Sequence, residues 1–188
     1  DAAGSCTQKC IGAPPGLGPV TFGPAAMEAA RSRTHPTPTW YFDLELLFQY
    51  WGESGGKDRV FHHTAPVANI YAFHHALRLI LDEGLEPRYQ RHRNAHAHLV
   101  AGLDKLGLSL FTPESHRLPM LNVVNIPDGV DDATVRRKLL DRGIEIAAGF
   151  GPLKGKAWRI GLMGYNADPA RVDILLGGLE EVLTEVRP

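Results

Sequence analysis

Between Thr64 and Val186 the apolar residues switch repeatedly between a helical and a strand period, which limits the chain to helices packed on a sheet. Val67, Ile70, His74, Leu77 and Leu81 recur every three or four residues and share one helix face. Thr64 is placed to cap this helix, Pro66 to sit in its first turn and Gly84 to stop it. Tyr89, His92, His96, Leu99 and Leu103 predict a second helix over about 86–106, ended by Gly107. The period then shortens, and residues 108–111 and 121–126 read as strands. Asp131 caps a helix carrying Val135 and Leu139 and stopped by Gly143. Residues 144–147 and 157–163 are two more strands, separated by a glycine-rich loop over 149–156. Asp168 and Pro169 open a last helix, with Val172, Leu175, Leu176, Leu179, Val182, Leu183 and Val186 along one stripe. The order predicts an α/β or α+β unit over roughly 84–188.

The first 60 residues are rich in Gly and Pro. Cys10 to Pro19 is a loop, residues 20–22 a short strand and 24–33 a short helix with Pro24 in its first turn. His35 to Thr39 is extended, and helical spacing returns from Tyr41 to Trp51. With 20 basic and 21 acidic side chains the formal net charge is -1, so no global field steers the chain to nucleic acid or acidic membranes. No apolar run reaches the length that crosses a bilayer. Cys6 and Cys10 are too few for a disulfide framework, and they read as reduced thiols of a cytoplasmic protein.

Two cations stand out. Lys9 lies in Ser5-Cys6-Thr7-Gln8-Lys9-Cys10, among small residues and before Gly-Ala-Pro-Pro-Gly. Such a loop can hold an amine still and leave room for a flat ligand, although a solvated surface lysine has the same local signature. Arg159 shares one side of its strand with Ala157 and Gly161, while Trp158, Ile160 and Leu162 take the other. A guanidinium between small neighbours can receive a substrate carboxylate through two parallel hydrogen bonds, or pair with a structural Asp or Glu. The pairs His62-His63 and His74-His75 and the trio His92, His96 and His98 invite a metal reading. No His-Glu-x-x-His and no carboxylate or cysteine cluster accompanies them, so packing and polar contacts are expected and no metal.

Ser5-x-x-Gln8-Lys9 followed by Ala13-Pro14-Pro15-Gly16-Leu17-Gly18 resembles the cofactor-lysine segment of class-V aminotransferases, in the alanine–glyoxylate and serine–pyruvate group. Tyr41-Phe42-Asp43-Leu44, then His62-His63-Thr64-Ala65-Pro66, then Gly149-Phe150-Gly151 leading to Trp158-Arg159-Ile160-Gly161, agree with the family in order and spacing. The resemblance covers nearly the whole chain. It implies the end of a fold type I large domain over residues 1–83, followed by a small C-terminal α/β domain over 84–188. The cofactor it implies is pyridoxal 5'-phosphate (PLP), bound to Lys9 as a Schiff base. Gln8 would lie beside the cofactor, Thr64 would reach the phosphate in the partner subunit of a homodimer, and Arg159 would grip the substrate α-carboxylate. Phe61 departs from the family, which often has tyrosine there, and one phosphate hydrogen bond goes with the missing hydroxyl. Glutamine before the lysine, where cysteine desulfurases usually have histidine, favours transamination.

The resemblance implies transfer of an amino group between a small amino acid, alanine or serine, and a 2-oxo acid, glyoxylate or pyruvate. The family also places an aspartate on the cofactor ring nitrogen, an aromatic over the ring and a phosphate loop, all before the lysine. Eight residues precede Lys9. The expectation is therefore the C-terminal portion of a longer enzyme, incomplete and inactive by itself. A non-catalytic partner that supplies a dimer surface and the substrate arginine, or a related PLP-dependent lyase, are the alternatives.

Overall fold

Asp168 accepts a hydrogen bond from the Ala170 N–H at 2.8 Å, and Pro169, which has no N–H to leave unpaired, opens the helix α6 (Pro169–Val186). The same logic starts α5 (Asp132–Asp141), where the Asp131 carboxylate accepts from the Thr134 N–H at 2.8 Å. The computed structural model describes residues 1–51 and 61–187. The chain divides into two compact units. One comprises Asp1–Gln8 and Ala13–His74, the other Lys9–Gly12 and His75–Pro188.

In the first unit β1 (Ala2–Gly4) pairs antiparallel with β2 (Val20–Phe22), Ala2 opposite Phe22. Between them the chain turns back on buried Thr7, whose hydroxyl donates to the Pro14 carbonyl at 2.6 Å and whose carbonyl accepts from the Ala13 N–H. Two short helices follow, α1 (Pro24–Arg31) and α2 (Leu44–Trp51). Helical spacing from Tyr41 thus resolves into a separate 3-10 turn, Trp40–Phe42, and α2. The break falls at Asp43, which is extended and whose carboxylate accepts from the Glu45 and Leu46 N–H groups.

The helix α3 (Val67–Glu83) begins later than the sequence predicts, and Thr64 does not cap it. The Pro66 carbonyl accepts the first helical bond, from Ile70 at 3.1 Å, because proline disfavours the helical region for Ala65 before it. Thr64 is left too far back to reach the first-turn amides. The predicted apolar face of α3 is also not buried. Ile70, Leu77 and Leu81 are exposed, and Ala76 is the buried position among its described residues.

Gly84, in the left-handed region at φ 83°, ends α3 and starts α4 (Leu85–Lys105). Gly107 closes α4, with the Leu108 N–H reaching back to the Leu103 carbonyl. The second unit's sheet has the order β3 (Leu121–Asn125), β5 (Ala157–Gly161), β4 (Ala147–Ala148), antiparallel throughout, with Val123 and Ala147 flanking Arg159. Two strand predictions need correction. Residues 108–111 form a single bridge, Leu110 to Val124, since only Ser109 and Phe111 exchange ladder bonds with β3. Residues 144–147 pair with β5 only from Ala147 onward, and the Ile144 N–H instead bonds the Leu139 carbonyl at the end of α5.

The helices α4, α5 and α6 supply the core with Leu99, Leu103, Val135, Leu139, Leu179 and Val182, packed with Trp158 and Ile160 of β5. Trp158 is fully buried, and its indole N–H donates to Asp132 at 3.1 Å, so the polar tip of the ring is satisfied. Gly102 sits where α4 meets α6, and a methyl there would overlap the Leu176 side chain. Gly149 is tighter still, because a methyl would strike the backbone of Leu153 and Ala157 rather than a side chain that can swing away. Gly149→Ala is therefore expected to destabilise this unit by about 1–3 kcal/mol, read as a lower urea midpoint. An unchanged midpoint would show that the loop before β5 yields freely.

Candidate active site

Lys9 opens a four-residue turn closed by the Gly12 N–H on the Lys9 carbonyl at 2.9 Å, with Gly12 at φ 79°. The lysine is exposed, and its amine has no hydrogen bond or ion pair among the described residues. Arg159, in the same unit, is half-buried on β5. Its Nε donates to the Ala148 carbonyl at 2.8 Å, and its two terminal nitrogens have no partner among the described residues. No Asp or Glu pairs with it there. A groove of about 520 Å³ opens beside this stretch, lined by Arg159, Gly161, Glu145, Asn166 and Arg171. Arg171 lies 3.8 Å over the Tyr165 ring, an arrangement that engages its cation.

Gln8 and Thr64 fall in the other unit. Both are exposed, and neither side chain makes a hydrogen bond among the described residues. Phe61 is 71% exposed. Beside Thr64, His62 is buried and stacked on Trp40 at 3.9 Å between centroids. Its Nε2 faces the Trp40 carbonyl at 3.1 Å, so Nε2 carries the proton and Nδ1 accepts from His63. Two further histidines of the metal reading have polar partners. His96 bonds Asn122 at 2.7 Å, and His98 bonds Asp173 at 2.6 Å. Among the described residues no group of three metal-capable side chains converges.

Sequence reasoning passes over the groups that bind the lysine turn to its surroundings. Glu83, at the end of α3, accepts from Arg91 Nε at 2.5 Å, Arg91 Nη2 at 3.0 Å and Arg88 Nη1 at 2.7 Å. Arg88 Nη2 donates to the Cys10 carbonyl at 2.6 Å. Arg91 Nη1 donates to the carbonyls of Gly164 and Ala167 at 2.9 and 2.8 Å. Buried His92 donates through Nδ1 to the Arg88 carbonyl and accepts the Gly164 N–H at Nε2, which fixes its tautomer. The Gly164 turn follows β5 and abuts the lysine turn, since a methyl on Gly164 would lie 3.2 Å from Gly12 Cα. The one signal available in sequence is Glu83 followed at five and eight residues by arginine, spanning the break at Gly84.

The hydrogen bonds from Arg91, with those from Arg88, hold the Glu83 carboxyl at about 2, well below its ordinary 4.5. A depressed carboxyl binds its proton less readily when folded, so its contribution is complete above about pH 4.5 and is lost as pH falls through about 2. Glu83→Gln should therefore lower stability at pH 7 and flatten the fall in urea midpoint between pH 5 and 2. A variant with the same acid slope as the parent would refute the assignment.

Comparison with known proteins identifies the family. The family model described as aminotransferase class-V matches residues 1–168. The (S)-ureidoglycine–glyoxylate transaminase of Bacillus subtilis (strain 168) is 42% identical over 202 residues, covering 97% of this chain and 48% of the relative. The crystal structure of alanine–glyoxylate aminotransferase from Nostoc sp. matches with TM-score 0.90 and 46% identity, over 97% of this chain and 48% of that one. The crystal structure of ureidoglycine–glyoxylate aminotransferase from Bacillus subtilis matches with TM-score 0.93 and 42% identity, over 100% of this chain and 48% of that one. The chain spans about half the length of the curated relatives it matches. Over that half it carries the α/β, fold type I architecture of these enzymes, and it belongs to the class-V aminotransferase family.

Proposed function

We propose that this chain is the lysine- and arginine-bearing part of a PLP-dependent aminotransferase, acting within a longer polypeptide. It moves an amino group from a small amino acid, alanine or serine, to glyoxylate or pyruvate. The observation that carries the reading is an amine, Lys9, and a guanidinium fork, Arg159, both without partners among the described residues and held in one unit on adjoining turns and strands. A structural arginine on a sheet would have found a carboxylate, and none is paired with Arg159 among the described residues. The B. subtilis and Nostoc relatives are named for one shared acceptor, glyoxylate, and for different donors. Glyoxylate is therefore the best supported acceptor here, and (S)-ureidoglycine joins alanine and serine as a donor to be tried.

The residues fit the cofactor. A primary amine on a hydrogen-bonded turn, with no counter-ion among the described residues, is the group that condenses with an aldehyde. When bound, PLP supplies an electron sink for the bond broken at the substrate Cα. Arg159 holds the substrate carboxylate through its two terminal nitrogens and so fixes which Cα bond faces the reacting system. With the cofactor bound, the Lys9 amine would hold it covalently and, when free, would serve as the base that accepts the substrate Cα proton. Trp158, Ile160 and Leu162 anchor the arginine's strand in the core. Gln8 would lie beside the cofactor, and Thr64 would reach the phosphate bound by the partner subunit of a homodimer. Residues 1–83 are the end of the large domain and 84–188 the small domain. Exposed Trp40, Tyr41, Phe42 and Phe61 accord with a surface that a second subunit covers. We place the enzyme in the cytoplasm, where Cys6 and Cys10, neither in a disulfide, stay reduced. No helix among the described residues is long and apolar enough to cross a membrane.

Incubating the complete polypeptide with PLP, alanine and glyoxylate tests the reading. Pyruvate and glycine should appear in equal amounts. Ammonia without glycine would point to a lyase, and silence with all three donors to a non-catalytic role.

A further inference from the structure

The ion cluster at the α3–α4 corner has a geometry that structural support alone does not require. Arg88 is 8% exposed and His92 6%, and burying a guanidinium costs desolvation that its ion pair does not reliably repay. Arg88 spends one terminal nitrogen on Glu83 and the other on the carbonyl of Cys10, one residue beyond Lys9. Arg91 shares the same carboxylate and ties down the Gly164–Ala167 turn, on which Gly12 rests. The lysine turn is thus gripped from both sides by one carboxylate acting through two arginines.

We infer that Arg88, oriented by Glu83 and Arg91, is a positioning residue for Lys9. The inference rests on the assignment of Lys9 as the cofactor-bonding amine. The Cys10 carbonyl lies in the Cys10–Ile11 peptide plane, inside the turn that the Gly12 N–H closes on the Lys9 carbonyl, so fixing it limits how that turn, and with it the root of the lysine side chain, can tilt. A flexible four-carbon arm amplifies any tilt at its root, and a misplacement of about 1 Å can cost on the order of 100-fold in rate. Arg159 is held separately, by the Ala148 carbonyl, so carboxylate binding does not depend on this clamp.

The test uses the complete polypeptide and two variants, Arg88→Met and Glu83→Gln, the second keeping side-chain volume if the first folds poorly. Turnover should fall roughly 10- to 100-fold while KM for the 2-oxo acid stays within about twofold. A second readout needs no cofactor. Hydrogen exchange at the Gly12 amide, which closes the lysine turn, should shift to faster rates in both apoprotein variants while exchange within α6 does not. Unchanged exchange at Gly12 and unchanged turnover with only a lower melting temperature would mean that the cluster is purely structural and overturn the inference. Borohydride fixation of PLP separates the two layers of the argument. An adduct on wild-type Lys9 with unshifted variants refutes the positioning role alone. No adduct on wild-type Lys9 refutes the assignment and the positioning role together.

Discussion

Lys9→Ala in the complete polypeptide should cut transamination by on the order of 10³- to 10⁴-fold and leave the melting temperature within a degree or two of the parent. The rate loss follows from removing the amine that both bonds the cofactor and moves the Cα proton. The silence in stability follows from how the turn is held. Two of its bonds, from the Gly12 N–H to the Lys9 carbonyl and from the Arg88 guanidinium to the Cys10 carbonyl, are accepted by backbone oxygens and do not involve the lysine side chain. The exposed lysine side chain has no partner among the described residues to lose. A matched fall in activity and melting temperature would mean that Lys9 shapes the fold, and the separation of roles would fail. An added primary amine should restore part of the proton transfer without restoring the covalent link.

Trp158→Ala is the largest expected stability loss, about 3–5 kcal/mol, read from the urea midpoint. The ring is fully buried at the centre of the core shared by α4, α5, α6 and the sheet, where a cavity of its size cannot collapse. Removing the indole also takes a donor from Asp132, which then keeps Arg136 at 2.8 Å as its remaining ion partner. Against a typical total of about 5–15 kcal/mol, that loss leaves the second unit marginal. Arg159 is the next residue on the same strand, so carboxylate binding should weaken as well. Trp158→Phe, which keeps most of the ring volume, should recover the greater part of the midpoint. A loss under about 1 kcal/mol for the alanine variant would show that the core repacks around the gap.

Much of this architecture could be read from local chemistry. Asp131, Asp168 with Pro169, Gly84 and Gly107 mark helix ends through bonds that span only a few residues, and those ends fall close to where the spacing puts them. The stripes of α4 and α6 bury Leu99, Leu103, Val172, Leu179 and Val182 because the partner surfaces lie within the same unit. The stripe of α3 misled for the opposite reason, since nothing among the described residues covers Ile70 or Leu81. Thr64 misled because proline's restriction on the residue before it outweighs a capping hydroxyl. Residues 108–111 have strand composition, yet a ladder needs a facing strand in register, and only one bridge forms. Lys9 and Arg159 stood out by their small neighbours. Arg88 did not, because its key bond reaches the Cys10 carbonyl 78 residues away and no spacing rule spans that distance.

Reduction of the complete polypeptide with borohydride in the presence of PLP, followed by peptide mapping, addresses the reading at its root. The account predicts a single pyridoxyl mass on the peptide containing Gln8, Lys9 and Cys10. A label on any other lysine, or no label on an otherwise folded protein, would contradict it.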